Sequence, residues 1–298
     1  MVPPINISAG DYRAEIRTNG GGLSELKFQG RNLIEPYDET DTNERYRGDL
    51  LAPWPNRIRD GRYSVDDREF QLPINEIDRN NALHGLVNRL QWKVIESSTS
   101  KAILESTLPS SSCYPTTLQM WVSYELDQNG LTWKLSAKNV GVTKVPYGAS
   151  IHPYLIAQPD QQVDDWALRL PADEVLDIDP YRLLPLNLVS VARKDFDFRN
   201  GAAIDQRFID HAFKVKSSTL DRSVDVIAKN GRGVRMEFDS SSSWIQIHTA
   251  DRSGAKNGRM CLAVEPMSCP PDAFNSGIDL IWLQPGAEHT MMWKICAI

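Results

Sequence analysis

Apolar and polar residues alternate with a period of two along much of this chain. In two neighbouring runs the alternate positions are apolar, namely Leu118, Met120, Val122 and Tyr124, followed by Leu131, Trp133, Leu135 and Ala137. This period is typical of β-strands that bury one face. The turn Asn129-Gly130 lies between the runs, and Asn-Gly is a strong hairpin signal. The sequence therefore predicts that these two strands pair.

Similar runs predict further strands at residues 12–18, 92–97, 101–108, 145–151, 223–228, 234–238, 244–249, 278–283 and 289–295. No segment keeps an i, i+3, i+4, i+7 apolar pattern over three turns, so helices are expected to be few and short. Many short strands with regular turns indicate an all-β, mostly antiparallel sandwich. Residues 34–57, 72–84 and 180–211 are the longest irregular stretches, and long loops on a β scaffold often carry function.

Composition narrows the class of protein. The 298 residues, 41% hydrophobic and 24% charged, show no linker or composition break, so one domain over residues 1–298 is expected. A net charge of -6 speaks against a general nucleic-acid or anionic-membrane surface. No signal peptide and no membrane-spanning run is visible. The four cysteines show no metal-finger spacing, and reduced thiols in a cytoplasmic protein are expected.

The most informative stretch contains Glu265. It follows the apolar alternation of a predicted strand and precedes Pro266, which is expected to end that strand. Its candidate partners are His84, in a predicted loop, and His152, after the predicted strand 145–151. A carboxylate with one or two histidines in an apolar setting supplies a general base and a general acid. Each histidine taken alone is equally consistent with a solvated or hydrogen-bonded structural role.

Two further charged residues stand in apolar surroundings. Arg57 follows a proline- and tryptophan-containing loop, where a planar guanidinium suits sugar hydroxyls or a carboxylate. Asp210 lies between aromatic and aliphatic neighbours, and a buried aspartate needs partners. A surface salt bridge and a structural hydrogen-bond hub are the respective alternatives. Trp54, Tyr63, Trp244 and Trp282 are candidates for an aromatic floor under a sugar ring, with a core position as the alternative that applies to most of the eight tryptophans.

The sequence lacks the motifs of several other catalytic chemistries. The chain has no G-x-S-x-G elbow, no phosphate-binding loop and no dinucleotide fingerprint. Its five histidines lack H-x-H and H-E-x-x-H spacings, so no metal site is expected. Acid–base chemistry without a cofactor remains.

Taken together and in order, the motifs resemble those of the aldose 1-epimerase (galactose mutarotase) family. They are Asn56-Arg57-Ile58, Asn81-Ala82-Leu83-His84-Gly85, His152-Pro153-Tyr154, Asp210-His211-Ala212-Phe213 and Glu265-Pro266-Met267. Each is short, but the set extends over most of the chain. The resemblance implies a galactose-mutarotase-like β-supersandwich with a cleft on one sheet face.

The resemblance also implies roles for particular residues. Glu265 is expected to take the proton from the C1 hydroxyl and His152 to protonate the ring oxygen. The ring then opens, the aldehyde turns about C1–C2, and closure on the other face gives the other anomer. His84 is expected to polarise the same region. The expected substrate-binding residues are Arg57, Asp210, Asn56, His248 and Trp244.

Two departures concern the choice of sugar. Leu155 follows His-Pro-Tyr where many members carry Phe, and His248 stands where an aromatic residue is expected. Residues 45–48 and 51–57 resemble a bacterial branch of the family. An anionic hexose, carrying a 6-phosphate or a 6-sulfonate, is therefore an alternative substrate. Its candidate contacts are Arg47, Arg79, Arg89 and His248.

Three functions therefore remain as alternatives. The first is a 1-epimerase of a free hexose such as glucose or galactose, and the second is an epimerase of an anionic hexose. The third is a carbohydrate-binding module without turnover, against which the complete acid–base set argues. A small sugar is the expected partner in each case, with neither nucleic acid nor membrane, and the protein is expected to be a monomer or a homodimer.

Overall fold

The computed structural model describes residues 3–37, 45–251 and 258–298. Strands form most of the regular structure in these residues. They are β1 (Ile5–Ala9), β2 (Tyr12–Ile16), β3 (Leu23–Phe28), β4 (Arg31–Asn32), β5 (Leu50–Leu51), β6 (Arg57–Arg59), β7 (Arg62–Val65), β8 (Arg68–Gln71), β9 (Asn81–Leu83), β10 (Lys93–Ser97), β11 (Lys101–Leu108), β12 (Leu118–Asp127), β13 (Gly130–Asn139), β14 (Val145–Tyr147), β15 (Ser150–Ile151), β16 (Tyr154–Leu155), β17 (Trp166–Arg169), β18 (Glu174–Ile178), β19 (Pro185–Ser190), β20 (Ala202–Ala203), β21 (Asp210–Lys214), β22 (Ser223–Ala228), β23 (Gly233–Phe238), β24 (Trp244–His248), β25 (Leu262–Met267), β26 (Ile281–Leu283) and β27 (Glu288–Ala297).

Helical structure is sparse, as predicted. Within the described residues there is one short α-helix, α1 (Ala273–Ser276), and four single 3-10 turns: Ile77–Arg79, Val87–Arg89, Val163–Asp165 and Val191–Arg193. None of these helices is long and apolar enough to cross a membrane.

Two large antiparallel sheets dominate the fold. The nine-stranded sheet has the order β10-β11-β12-β13-β27-β23-β22-β17-β20, and the six-stranded sheet has the order β16-β25-β24-β21-β18-β19. The predicted Asn-Gly hairpin is confirmed, since β12 and β13 pair from Leu118 with Asn139 to Asp127 with Gly130. The core cluster draws on both sheets: Trp293 lies in the larger one, and Ile245 and Val264 lie in the smaller one. The prediction of an all-β, antiparallel fold is thus confirmed.

Alternation in the six-stranded sheet fixes which side chains leave the core. Along β25, Leu262 and Val264 lie in the main core, so Ala263 and Glu265 point to the opposite face. Along β24, Ile245 and Ile247 lie in the core, so Gln246 and His248 point to that same opposite face. The main core thus covers one side of this sheet and leaves polar residues on the other.

Three expectations about strand boundaries were wrong. Pro266 does not end its strand; it stays in β25 opposite Ile245, because its fixed φ suits extended backbone, and its carbonyl oxygen accepts a hydrogen bond from the Ser150 hydroxyl at 2.8 Å. Residues 180–211, predicted to be irregular, contain β19, a largely exposed edge strand. Residues 278–283 form a strand only from Ile281 onward.

All four cysteines are free, as expected from their spacing.

Candidate active site

The polar side chains on the outer face of the six-stranded sheet meet in one cleft. Strand register sets Asp210 opposite His248 and Gln246 opposite Glu265. Asp210, His248 and Glu265 all line the cleft, together with Tyr154 from the neighbouring strand β16. The cavity measures about 700 Å³, within the range of roughly 300–1,000 Å³ of small-molecule sites.

Loops and the start of β6 bring four further predicted residues to the same cleft. Asn56, Arg57, His84 and His152 all line it, and all four are buried. His152 follows β15, and its backbone is held on both sides, since its N–H donates to the Asp49 carbonyl at 3.1 Å and its carbonyl accepts from the Gly48 N–H at 2.9 Å. The structure therefore gathers seven of the eight predicted site residues: Glu265, His152, His84, Arg57, Asp210, Asn56 and His248.

His84 takes an unusual backbone conformation that aims its ring into the cleft. Its φ is +63°, in the left-handed region that non-glycine residues rarely adopt. The next residue, Gly85, has φ +77°, and a Cβ there would lie 2.1 Å from the carbonyl oxygen of Ala52. Only glycine allows this close approach. The Asn-Ala-Leu-His-Gly motif is thus strand β9 followed by a turn that presents one imidazole.

The protonation of His84 follows from its hydrogen bond. The backbone N–H of Asn56 donates to Nδ1 of His84 at 3.2 Å. Nδ1 is therefore an acceptor, and the ring proton of the neutral imidazole lies on Nε2. Burial lowers the pKa of His84 well below its ordinary value, and the charges of His152 and Arg57 lower it further. His84 is consequently a neutral hydrogen-bond donor near pH 7.

Glu265 and His152 form a buried pair. Oε1 of Glu265 lies 3.3 Å from Nε2 of His152, and their side chains are 2% and 5% exposed. Burial raises the pKa of Glu265 well above that of an ordinary glutamate; the charge of Asp210 raises it further, while Arg57 opposes the shift. Burial also lowers the pKa of His152, to about 3. Because burial disfavours charge on both partners, it favours a protonated Glu265 beside a neutral His152.

Arg57 is fixed by a neighbouring carboxylate that the sequence analysis did not single out. Its Nε and one terminal nitrogen each lie 2.9 Å from oxygens of Glu76, an arrangement that fixes the guanidinium plane. Arg79 and Asn81 also donate to Glu76, at 3.2 and 2.8 Å. The same terminal nitrogen of Arg57 lies 3.8 Å from an oxygen of Asp210. Glu76 therefore orients Arg57 toward Asp210.

The pKa of Asp210 is lowered, whereas that of Glu265 is raised. Burial alone would raise the pKa of Asp210, but the charges of His248 and Arg57 and a hydrogen bond from Gln246 outweigh it and lower the pKa. The amide of Gln246 donates to Asp210 at 2.6 Å. Two carboxyl groups whose pKa values move in opposite directions are typical of sites with divided acid–base and binding roles.

Trp244 is the predicted site residue that the structure does not bring to the cleft. It lies on the cleft side of β24, but Leu176, Ala212 and Met267 cover it, and its indole N–H donates to Asp279 at 2.8 Å. The other members of the expected aromatic floor are displaced too: Trp54 and Tyr63 pack in the core, and the exposed Trp282 contacts Lys144. The aromatic residues that line the cleft are instead Tyr46, Tyr154 and Phe208.

Of the four residues considered for an anionic group, Arg79 and His248 line the cleft. Arg47 and Arg89 are absent from its described lining. Arg45 lines it instead, with its guanidinium 4.5 Å from the ring centre of Tyr154.

His84, His152 and Glu265 are also a donor set for a divalent ion, since one ligand atom from each lies within 4.8 Å of the others. Two imidazoles and a carboxylate suit transition metals. The expectation of a metal-free site therefore stays a prediction, which the experiments below test with a chelator.

Sequence reasoning missed Tyr46, Glu76 and Gln246. For Gln246 a signal was available, because it precedes His248 by two residues on a predicted strand and must share its face. Glu76 and Tyr46 lie in irregular segments, where no periodicity indicates direction.

Comparison with known proteins agrees with this architecture. Residues 4–295 match the family model of aldose 1-epimerases. The chain therefore belongs to the aldose 1-epimerase family, whose members are isomerases acting on carbohydrates.

Relatives with higher and with lower sequence identity support the family assignment. The chain is 38% identical to the uncharacterized protein YihR of Escherichia coli K12, over 98% of this chain and 92% of that one. It is 25% identical to bovine galactose mutarotase, over 98% of this chain and 94% of that one. A GalM/aldose epimerase homologue from C. elegans superimposes with a TM-score of 0.87 at 19% identity, covering 99% of this chain and 98% of that one. The galactose-mutarotase-like fold is thereby confirmed.

Proposed function

We propose that the protein interconverts the α and β anomers of a free aldohexose, such as galactose or glucose, by acid–base catalysis without a cofactor. The observation that carries the proposal is the Glu265–His152 pair, 3.3 Å apart and buried on the wall of an open cleft. We also expect one domain, a cytoplasmic location and a monomer or homodimer.

The proposed chemistry balances with a single proton on the pair. The reaction starts from the charge-separated form of the pair, in which the proton has moved from Glu265 to His152. The Glu265 carboxylate takes the proton of the C1 hydroxyl while the His152 imidazolium gives its proton to the ring oxygen. The C1–O5 bond breaks, a carbonyl forms at C1, and the pair becomes protonated Glu265 and neutral His152. Burial favours this uncharged form. Rotation about C1–C2 and the reverse transfers then give the other anomer.

The other cleft residues have supporting roles in this scheme. His84 donates from Nε2 toward the ring-oxygen region. Asp210, held as a carboxylate by Arg57 and Gln246, accepts hydrogen bonds from sugar hydroxyls. Asn56 acts through His84 and Arg57, since its backbone N–H contacts His84 and its side-chain oxygen accepts from the Arg57 N–H at 2.9 Å.

The charges on the wall favour a neutral sugar. Three arginines line the described cleft, against the carboxyl groups of Glu76, Asp78, Asp210, Asp251 and Glu265. Each arginine already contacts a carboxylate: Arg57 and Arg79 contact Glu76, and Arg45 contacts Glu35. A dianionic 6-phosphate is therefore disfavoured, because tight phosphate sites combine several free cationic donors.

A hexose with a single anionic group, such as a 6-sulfonate, is the second candidate. Arg45 favours it, because its guanidinium lies at the cleft wall over Tyr154, whose ring centre is 6.5 Å from that of His248. One guanidinium with a neighbouring imidazole can bind a singly charged group.

A panel of freshly dissolved α-anomers tests both candidates by polarimetry, with a chelator present throughout. The proposal predicts faster approach to anomeric equilibrium on galactose or glucose. Acceleration confined to a 6-sulfonated hexose, and lost in Arg45→Gln, would establish the second candidate instead. Activity that the chelator abolishes and a divalent ion restores would contradict the cofactor-free mechanism.

The pH dependence of kcat/KM is a separate prediction. As pH falls from 7 to 5 the rate is expected to hold, because the pKa of His152 is lowered to about 3 and the pair keeps its one proton. As pH rises through the raised pKa of Glu265 the proton is lost, and the rate is expected to fall. A loss of activity on acidification with an apparent pKa near 6.5, that of an ordinary histidine, would contradict the shared-proton account.

A further inference from the structure

Tyr46 contacts both histidines but has no role in the proposed proton transfers. Its ring centre lies 4.6 Å from that of His84, edge-on, and 6.4 Å from that of His152. It lines the cleft. Its backbone φ of +56° is in the left-handed region, which bulky residues rarely occupy without local constraint. The side chain is thus held against the reacting groups.

The amide of Asn75 determines the hydrogen bonding of Tyr46. The Asn75 side-chain oxygen accepts from the Leu83 N–H at 2.7 Å, and its nitrogen donates to the Leu83 carbonyl at 2.9 Å. These two bonds to backbone fix which end of the amide is nitrogen. The second amide hydrogen points to the Tyr46 hydroxyl, 3.2 Å away. The Tyr46 oxygen is therefore an acceptor in this contact.

The hydroxyl hydrogen of Tyr46 is consequently free for another partner. A phenol has one hydrogen to donate, and it cannot donate to an NH₂ group that is itself the donor. Among the described residues, Asn75 is the one hydrogen-bond partner of this hydroxyl. Burial raises the pKa of Tyr46, with Arg89 opposing the shift, so the hydrogen is retained at neutral pH.

We propose that the Tyr46 hydroxyl donates a hydrogen bond to a non-anomeric hydroxyl of the bound sugar. The inference rests on the proposed function and adds a specificity-determining residue to it. Tyr46 and the Nε2–H of His84 are two neutral donors on the cleft wall, and Asp210 and Glu265 supply acceptors on the same wall. The ring oxygen is the target of His152, which leaves a hydroxyl as the acceptor for Tyr46.

The proposal separates KM from kcat. A hydrogen bond to a non-reacting hydroxyl is equally strong in the ground and transition states, so its loss raises KM and leaves kcat unchanged. Tyr46→Phe keeps the ring against His84 and removes only the oxygen. Losing one neutral hydrogen bond is expected to raise KM about three- to tenfold, with kcat within about twofold of wild type.

Deoxy sugars distinguish direct contact from an effect on the protein. Wild type and Tyr46→Phe are compared on the parent hexose and its 2-, 3-, 4- and 6-deoxy analogues. The proposal predicts that the KM difference disappears for the one analogue that lacks the acceptor. An equal loss on every analogue, a loss confined to kcat, or no loss at all would overturn it. Tyr181→Phe is the matched control, since Tyr181 is 82% exposed and is expected to leave KM unchanged on all five sugars.

The outcomes of this experiment distinguish an error in the role of Tyr46 from an error in the proposed function. If wild type accelerates no sugar, the proposed function is wrong, and sugar titrations followed by NMR still compare the affinities of wild type and Tyr46→Phe. If wild type is active and Tyr46→Phe keeps the same KM, only the role of Tyr46 is wrong.

Discussion

Replacing Glu265 with glutamine is expected to lower kcat by about 10²–10⁴-fold, the usual contribution of a positioned base, while sugar affinity changes little. Glutamine has the shape of the protonated carboxyl group that burial favours at this position, so the cleft should keep its form. The variant cannot accept the proton of the C1 hydroxyl. Rates are measured by polarimetry and affinities by NMR titration.

The same variant separates catalysis from stability. Because an uncharged side chain suits a site that is 2% exposed, the free energy of unfolding is expected to match or exceed that of wild type. Glu288→Gln, at an exposed position on β27, is the matched control and should leave rate and stability unchanged. A Glu265→Gln protein that retained wild-type kcat would contradict the assignment of the base.

His152→Gln is expected to have the second largest effect, a loss of about 10²–10⁴-fold in kcat. The amide keeps a donor near the ring oxygen but cannot transfer a proton to it. His289→Gln serves as the control, because this histidine packs against Tyr147 and is absent from the described cleft lining. Polarimetry on the same sugar measures both variants.

Combining the two substitutions tests whether the residues act as one unit. Residues that share one proton are expected to be non-additive, so Glu265→Gln/His152→Gln should be only slightly slower than the slower single variant. Losses that multiply would show that Glu265 and His152 act independently, and would contradict the shared proton even if each residue is essential.

The existence of most strands could be predicted from the sequence, because the alternation of apolar and polar residues is a local property. The Asn129-Gly130 turn and the alternation on either side of it predicted β12 and β13, which pair in that register. The edge strand β19 was missed although Leu186 and Leu188 alternate with a polar residue. Both leucines are exposed, so this strand lacks the buried face on which the period-two argument rests. The position of Pro266 was predicted wrongly. Proline lacks an N–H, but this ends a strand only where a neighbouring strand needs that hydrogen bond, and the sequence does not show which strand is the neighbour.

The site could be predicted as a set of residue types, but not as a geometry. Glu265, His84 and His152 were recognisable from their motifs, yet their approach depends on loops packed by distant residues, such as Gly85 against Ala52. Trp244 shares the face of His248, and only the packing of Met267 and its neighbours shows that it is covered. Arg57, at the start of β6, is oriented by Glu76, which lies 19 positions later in the chain, and no local signal links the two.

The most direct test of the central claim is magnetisation exchange by NMR between the α and β anomeric protons of galactose and glucose, in D₂O with a chelator present. The account predicts that catalytic amounts of wild-type protein accelerate exchange, that Glu265→Gln does not, and that no deuterium enters C1 or C2. Ring opening and closure break no C–H bond. Equal exchange rates with wild type and Glu265→Gln, or deuterium at C2, would contradict the account.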